Sequence, residues 1–332
     1  MNILVDHHHG ALLRSMSYLF KKRFNCRVFV PKGMEWLDET RLYSCYPMRD
    51  TADQMLNSWV WDSKYNNEFE PLTLEMFKNI HIDVIVSSLW ENHSIFDNII
   101  KTHDKKSKLV LQVGNNIHPN LVYSTNTRNL LSSSWPTYVK SDVKNKVFYH
   151  QEFNTDLFSV PLISDVNIKS VANFKNIMEE DFHLFTELER RLPDWTFKAY
   201  GALNRDGSIH DSELDISNEI KKFGFIFHVK KDDGYGHIIH NSFACGKPML
   251  IDYKKTSVDW NGELIPITAN KLYDNNDTII DVNNGVDFIV EKLLYMSNNY
   301  KRYSNIVYSK FQKIVNFDKE QTDIEKFLKN LV

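Results

Sequence analysis

Short apolar runs alternate along this chain with longer stretches whose apolar residues recur at helical spacing. Residues 3–5 form the first run, and Leu12, Leu13, Met16, Leu19 and Phe20 then mark one face of a helix. A second run over 26–30 stops at Pro31, and two more over 82–86 and 109–113 are short, branched and bounded by polar loops, with a helical stretch over 94–100 between them. Strands alternating with helices predict a parallel, doubly wound sheet. The periodicity lapses around 155–171, which contains Pro161, and then restarts. Strands are expected over 170–172, 195–200, 223–229 and 248–251. Helices are expected over 179–192, with Phe185, Leu188 and Leu192 on one face, and over 237–245, closed by Gly246. Val286, Ile289, Leu293 and Met296 mark another helix. Thr322-x-x-Glu325 reads as a capping box opening a last helix with Ile324, Phe327, Leu328 and Leu331 on one side. The expected division is 1–160, 161–318 and a closing helical segment, 319–332.

A length of 332 residues suits two domains, and 42% hydrophobic with 25% charged residues is ordinary for a soluble fold. A net charge of -3 supplies no overall attraction to nucleic acid or anionic membrane. Cys26, Cys45 and Cys245 are odd in number, far apart and without metal-ligand spacing, which suits a reducing compartment. The first apolar run is too short for a signal peptide, and no run approaches the roughly 18–20 residues that cross a bilayer. The expected location is the cytoplasm, the host's if the gene is viral. Oligomeric state is not legible.

The most informative stretch is Phe225-Ile226-Phe227-His228-Val229-Lys230-Lys231-Asp232-Asp233-Gly234-Tyr235-Gly236-His237, followed by a helix and Ala244-Cys245-Gly246-Lys247-Pro248. It resembles the donor-binding motif of GT-B glycosyltransferases, in which an acid and a Gly-aromatic-Gly turn precede a helix and Gly-x-Pro closes the unit. Asp233 matches the first acid, and Gly234-Tyr235-Gly236 the turn. Asn241 stands where the family has a second acid, which there holds the ribose hydroxyls; a neutral amide is a weaker acceptor. The resemblance implies an α/β fold of two Rossmann-like domains facing a central cleft, and a last helix that crosses back onto the first domain. It also implies a nucleotide-sugar co-substrate, UDP-sugar favoured, with no metal or other cofactor. Glycines admit close backbone approach, and the helix start near His237 offers N–H donors to a diphosphate. Lys175, Lys230, Asp233, Gly234, Tyr235, Gly236, His237 and Asn241 are the expected donor residues.

Ligands of open α/β sheets lie beyond the C-terminal strand ends. That rule selects loops carrying Trp36, Trp90, Glu91, His93, Asn115 and His118 as the acceptor side, and assigns Lys21-Lys22-Arg23 and 101–108 to solvated surface on the opposite edge. An inverting transfer needs a base to take the acceptor proton. His9 is favoured because it adjoins a helix N-terminus, which disfavours imidazolium; His7 is second, Asp6 orients a ring, and Glu91 and His93 are rival bases. A retaining route would need no such base, and the stereochemistry stays open. Two acceptors remain: a hydroxymethylated base in DNA, as modified by virus-encoded enzymes of this fold, and a soluble glycan or small molecule. Two rival readings stay open. One is a non-catalytic binding protein on a degenerate scaffold, suggested by Asn241. The other is a metal-dependent phosphoesterase, suggested by Asp6-His7-His8.

Overall fold

The computed structural model describes the chain apart from residues 7–9, 34–35, 37–68, 89, 115–121, 123–125, 175–178, 202–204, 208–211, 230–234, 256, 261–262, 267–271, 273–277 and 332. The chain divides into two compact units. Unit 1 is Met1–Glu152 with Phe317–Val332, and unit 2 is Phe153–Asn316; the sequence boundaries were 160/161 and 318/319.

Unit 1 holds seven parallel strands: β1 (Asn2–Val5), β2 (Arg27–Pro31), β3 (Glu70–Leu72), β4 (Val84–Ser87), β5 (Lys108–Val113), β6 (Asn129–Ser132) and β7 (Asn145–Phe148), in the spatial order β3-β2-β1-β4-β5-β6-β7. Side chains alternate between the faces of a strand. Ile3 and Val5 therefore join one core with Val28, Val30, Val84 and Val86, while Leu4, Phe29 and Ile85 join a second core on the opposite face. Helix α1 (Gly10–Met16), continuing as a wider π-type turn over Ser17–Arg23, covers the first face through Leu12, Leu13, Met16, Leu19 and Phe20. Helices α2 (Leu74–Asn79) and α3 (Trp90–Thr102) cover the second through Phe77, Phe96 and Ile99. Burial on both faces explains why β1, β2 and β4 read as nearly unbroken apolar runs. A short helix, α4 (Trp135–Lys140), packs beside β6 and β7.

Unit 2 holds a second parallel sheet built from β8 (Asn167–Asn173), β9 (Thr196–Ala199), β10 (Phe223–His228), β11 (Met249–Ile251) and, beyond a small hairpin of β12 (Ser257–Trp260) and β13 (Glu263–Pro266), β14 (Ile279–Asp281). Its order is β14-β11-β10-β8-β9. Helices α5 (Glu179–Arg191), α6 (Glu213–Lys222), α7 (His237–Ala244), α8 (Val286–Asn298) and α9 (Tyr300–Ile314) connect and cover it. One core runs through Val171, Phe185, Leu188, Phe197, Phe225, Phe227, Leu250, Ile289 and Leu293. Gly246 closes α7 at φ +64, and a Cβ there would lie 2.9 Å from the Ser304 carbonyl oxygen, so α7 and α9 meet at a position only glycine fills without strain.

The last helix, α10 (Phe317–Lys329), returns to unit 1 and sends Ile324 and Phe327 into the first core, joined by Leu331 beyond it. Thr322 lies inside this helix, with its hydroxyl 3.5 Å from the Asp318 carbonyl oxygen, so the capping-box reading is corrected: the helix begins a turn and a half earlier, at Phe317. Arg23 is corrected too. It is not free surface: it pairs with both carboxylate oxygens of Glu152 (2.5 and 2.7 Å), and reaches Asp318 and Gln321 of α10 at 2.9 Å each.

Candidate functional site

Strand order reverses direction at one place in each sheet, between β1 and β4 in unit 1 and between β8 and β10 in unit 2. At such a point the two flanking connections leave toward opposite faces and open a crevice beyond the carboxyl ends of the strands.

In unit 1, Asp6 follows β1 at that crevice. It is 1% exposed, and its carboxylate accepts from the Ser88 backbone N–H (2.8 Å) and the Asn92 side-chain amide (3.2 Å). Its own N–H bonds to Val86, across the switch point. Beside it His93 is buried, with Nδ1 2.7 Å from Ser87 Oγ. Burial holds the imidazole down to about 4, against a weaker opposing pull from Asp97, so the ring is neutral at physiological pH. Ser87 Oγ also lies 3.3 Å from the Val110 carbonyl oxygen. Trp90 opens α3 and is exposed. Glu91 is half-buried, and its Oε2 is buried without a partner among the described residues. Trp36 corrects the sequence reading. It is fully buried, donates Nε1–H to the Leu72 carbonyl at 2.8 Å and meets the Phe77 ring edge-on at 5.5 Å. The chain beyond β2 folds it under the sheet, so it is core and not a stacking surface. His7, His9, Asn115 and His118 lie outside the described residues.

A polar layer that the sequence did not single out lies at the ends of β5 to β7. Gln112 donates to the Tyr149 hydroxyl (3.0 Å), and Gln151 donates to Ser133 Oγ (2.7 Å), all of them buried. Burial pushes the Tyr149 phenol upward. Nothing in the local pattern of single glutamines and serines distinguishes these positions from surface ones.

In unit 2, β10 ends at His228, and α7 begins at His237 after Gly236, which adopts the left-handed conformation at φ 67 and ψ 61. Lys230, Asp233 and Gly234 lie between them, outside the described residues, as does Lys175 beyond β8. Tyr235 corrects part of the donor assignment. Its ring is 3% exposed, stacked on His240 at 4.3 Å and 7°, and turned edge-on to His237 at 5.1 Å, so the ring supports the turn from below. His240, which the sequence reading passed over, is fully buried, with Nδ1 3.3 Å from the Gly236 carbonyl oxygen. Together the two rings fix the turn from which the first N–H groups of α7 leave the helix without intrahelical acceptors. His237 and Asn241, four residues apart, share one helix face. Asn241 Oδ1 is buried with no partner among the described residues.

No family model and no curated protein matches the sequence. Solved structures do match over nearly the whole chain. Anabaena HepE in complex with UDP-glucose superposes with a TM-score of 0.62 at 11% identity, covering 99% of this chain and 100% of that one. An alpha-glucosyltransferase in complex with UDP and a 13-mer DNA containing an HMU base gives 0.61 at 8% identity, covering 99% of each. The same kind of enzyme in complex with UDP gives 0.61 at 10%, covering 98% and 99%. The chain has the GT-B fold. The GT-B pattern expected from the glycine turn and Gly-x-Pro segment is thus present in both sheets. Among the described residues no helix is long and apolar enough to cross a membrane. No cluster of His, Cys, Asp and Glu among the described residues has the form of a metal site.

Proposed function

We propose that this chain is a glycosyltransferase that moves a sugar from a UDP-sugar to an acceptor hydroxyl. The carrying observation is the arrangement at the β8/β10 switch point: a left-handed glycine turn, a helix start and the unpartnered Asn241 Oδ1 on the same helix. The N–H groups at the start of α7 suit a diphosphate, and Asn241 suits a ribose hydroxyl. Structures of the same fold hold UDP and UDP-glucose, which supports uridine over other nucleotides.

On unit 1, Asp6 already accepts two hydrogen bonds, which suits it to fixing the loop that carries His7 and His9. In an inverting transfer one of those histidines takes the acceptor proton; a retaining transfer needs no such base. His93 is held by Ser87 and serves as a rigid wall of the same crevice. The acceptor is a hydroxymethylated DNA base or a soluble glycan or small molecule. Alpha-glucosyltransferase complexes that contain DNA are among the structural relatives, which supports the DNA acceptor.

A thermal-shift screen across UDP-, GDP-, ADP- and CMP-sugars tests the donor. A ligand that binds only the folded state stabilises by mass action, so UDP-sugars are expected to raise the melting temperature and the others are not. No shift with any of the four ends the donor reading. Labelled transfer to hydroxymethylated DNA or to glycan then separates the acceptors. UDP-sugar binding with neither transfer nor hydrolysis establishes the non-catalytic reading instead, the one that Asn241 in place of an acid favours.

A further inference from the structure

Between Lys292 and Phe317 the chain contains no aspartate or glutamate but carries Lys292, Lys301, Arg302, Lys310 and Lys313, against a net charge of -3 overall. Most of this stretch is α9, whose buried face is Tyr300, Tyr303, Ser304, Val307 and Phe311. Lys301, Arg302, Asn305, Ser309, Gln312 and Lys313 are exposed, and at 100° per residue they share an arc of about 120° along about 18 Å of helix. Several exposed cations on other helices are neutralised by neighbours one turn away: Lys101 by Asp97, Arg190 by Glu187, Lys222 by Glu219, Lys329 by Glu325. Lys301, Arg302 and Lys313 have no carboxylate partner among the described residues. The result is a stripe of unneutralised positive charge interleaved with amides and a hydroxyl.

We propose that this face of α9 binds the phosphate backbone of duplex DNA and so holds a polynucleotide acceptor. The proposal rests on the reading of DNA as the acceptor. Lysine, arginine, serine, asparagine and glutamine are the side chains that contact backbone phosphates, and such contacts position a protein without reading sequence. A lipid surface fits less well. It requires an apolar face turned outward beside the charges, whereas the apolar face of α9 is buried in unit 2 and the exposed apolar residues nearby, Leu294 and Tyr295, belong to α8.

The test is the affinity of the full chain for a short labelled duplex, measured by fluorescence anisotropy over a range of salt concentrations without nucleotide-sugar. Each phosphate contact contributes about 0.9 to the slope of log affinity against log salt. The triple variant Lys301→Gln, Arg302→Gln, Lys313→Gln is expected to lower that slope by about 2 to 3 and to weaken binding at least tenfold at low salt. The control Lys326→Gln, Lys329→Gln removes ion-paired lysines of α10 and is expected to change neither. A parental slope in the triple variant overturns the proposal. So does an equal loss in the control, or a loss confined to vesicles of anionic lipid. Melting curves with and without UDP-glucose keep the two readings apart: failure of UDP-glucose to stabilise the parent refutes the donor reading, while the salt slope alone decides the α9 face.

Discussion

Lys247 is a lysine whose charge the fold decides. It sits in the Gly-x-Pro segment at 1% exposure, donating Nζ to the Lys221 carbonyl at 2.9 Å, with the Tyr300 hydroxyl 3.4 Å away. Burial pulls its ammonium down to about 7, and the same surroundings push the Cys245 thiol up to about 12. An unfolded lysine titrates near 10.4. Between pH 7 and about 10 the unfolded chain therefore holds a proton that the folded chain has shed, and stability from this group rises with pH, being lost as pH falls through 7. Urea unfolding at a series of pH values is expected to show that rise, and Lys247→Met is expected to flatten it; equal slopes would refute the assignment. Asn241 gives a second test. On the proposed donor assignment Asn241→Ala removes one neutral hydrogen bond to the ribose, and it is expected to weaken UDP about 5- to 10-fold, by titration calorimetry, with little change in melting temperature in the absence of ligand. Residue-scale legibility was uneven for a physical reason. The glycine turn announced itself because few residues other than glycine accept its backbone geometry. Trp36 misled because an indole suits a sugar platform and a core equally, and only its distance from Leu72 and Phe77 decides between them.

Among the elements, the contact of α7 with α9 is the most exacting. Gly246 has a left-handed φ, and a side chain there would press on Ser304 Oγ at 2.5 Å as well as on its carbonyl. Gly246→Ala combines strain with overpacking and is expected to lower stability by about 2 kcal/mol or more in chemical denaturation. The strands and helices that the sequence reading found were legible because buried strands are apolar and covering helices amphipathic, whereas the short or polar β3, β6, β7 and β12 to β14 and helices α2, α4, α6 and α9 were not singled out. Strand order was not readable: nothing local tells β4 to lie beside β1, or β10 beside β8, yet that order locates both switch points. Thr322 shows the complementary failure. Its spacing to Glu325 is that of a cap, but Glu320 accepts from the His150 backbone N–H and Phe317 packs beside Leu19 and Tyr149, and this tertiary gain begins the helix ahead of the local start signal.

For the whole molecule, the discontinuity of unit 1 matters most. His150 gives its N–H and its Nδ1–H to the two oxygens of Glu320, at 2.7 and 2.6 Å, and Arg23 bridges Glu152 to Asp318. Beneath this polar seam Ile324, Phe327 and Leu331 complete a core begun by Ile3 and Val5. Removing residues 317–332 uncovers that core. The truncated chain is expected to melt at a markedly lower temperature and to bind apolar dye, while unit 2, with its own core, keeps its affinity for UDP; calorimetry with and without UDP reads both.

The same seam sets an order of events at the ribosome. The first seven strands emerge early, but the helix that seals them is translated only after all of residues 153–316. Unit 2 can finish folding while the first-made half still waits with an open apolar flank. In a crowded cell that interval is when a holdase chaperone has most to grip, and slow codons just upstream of position 317 would prolong it.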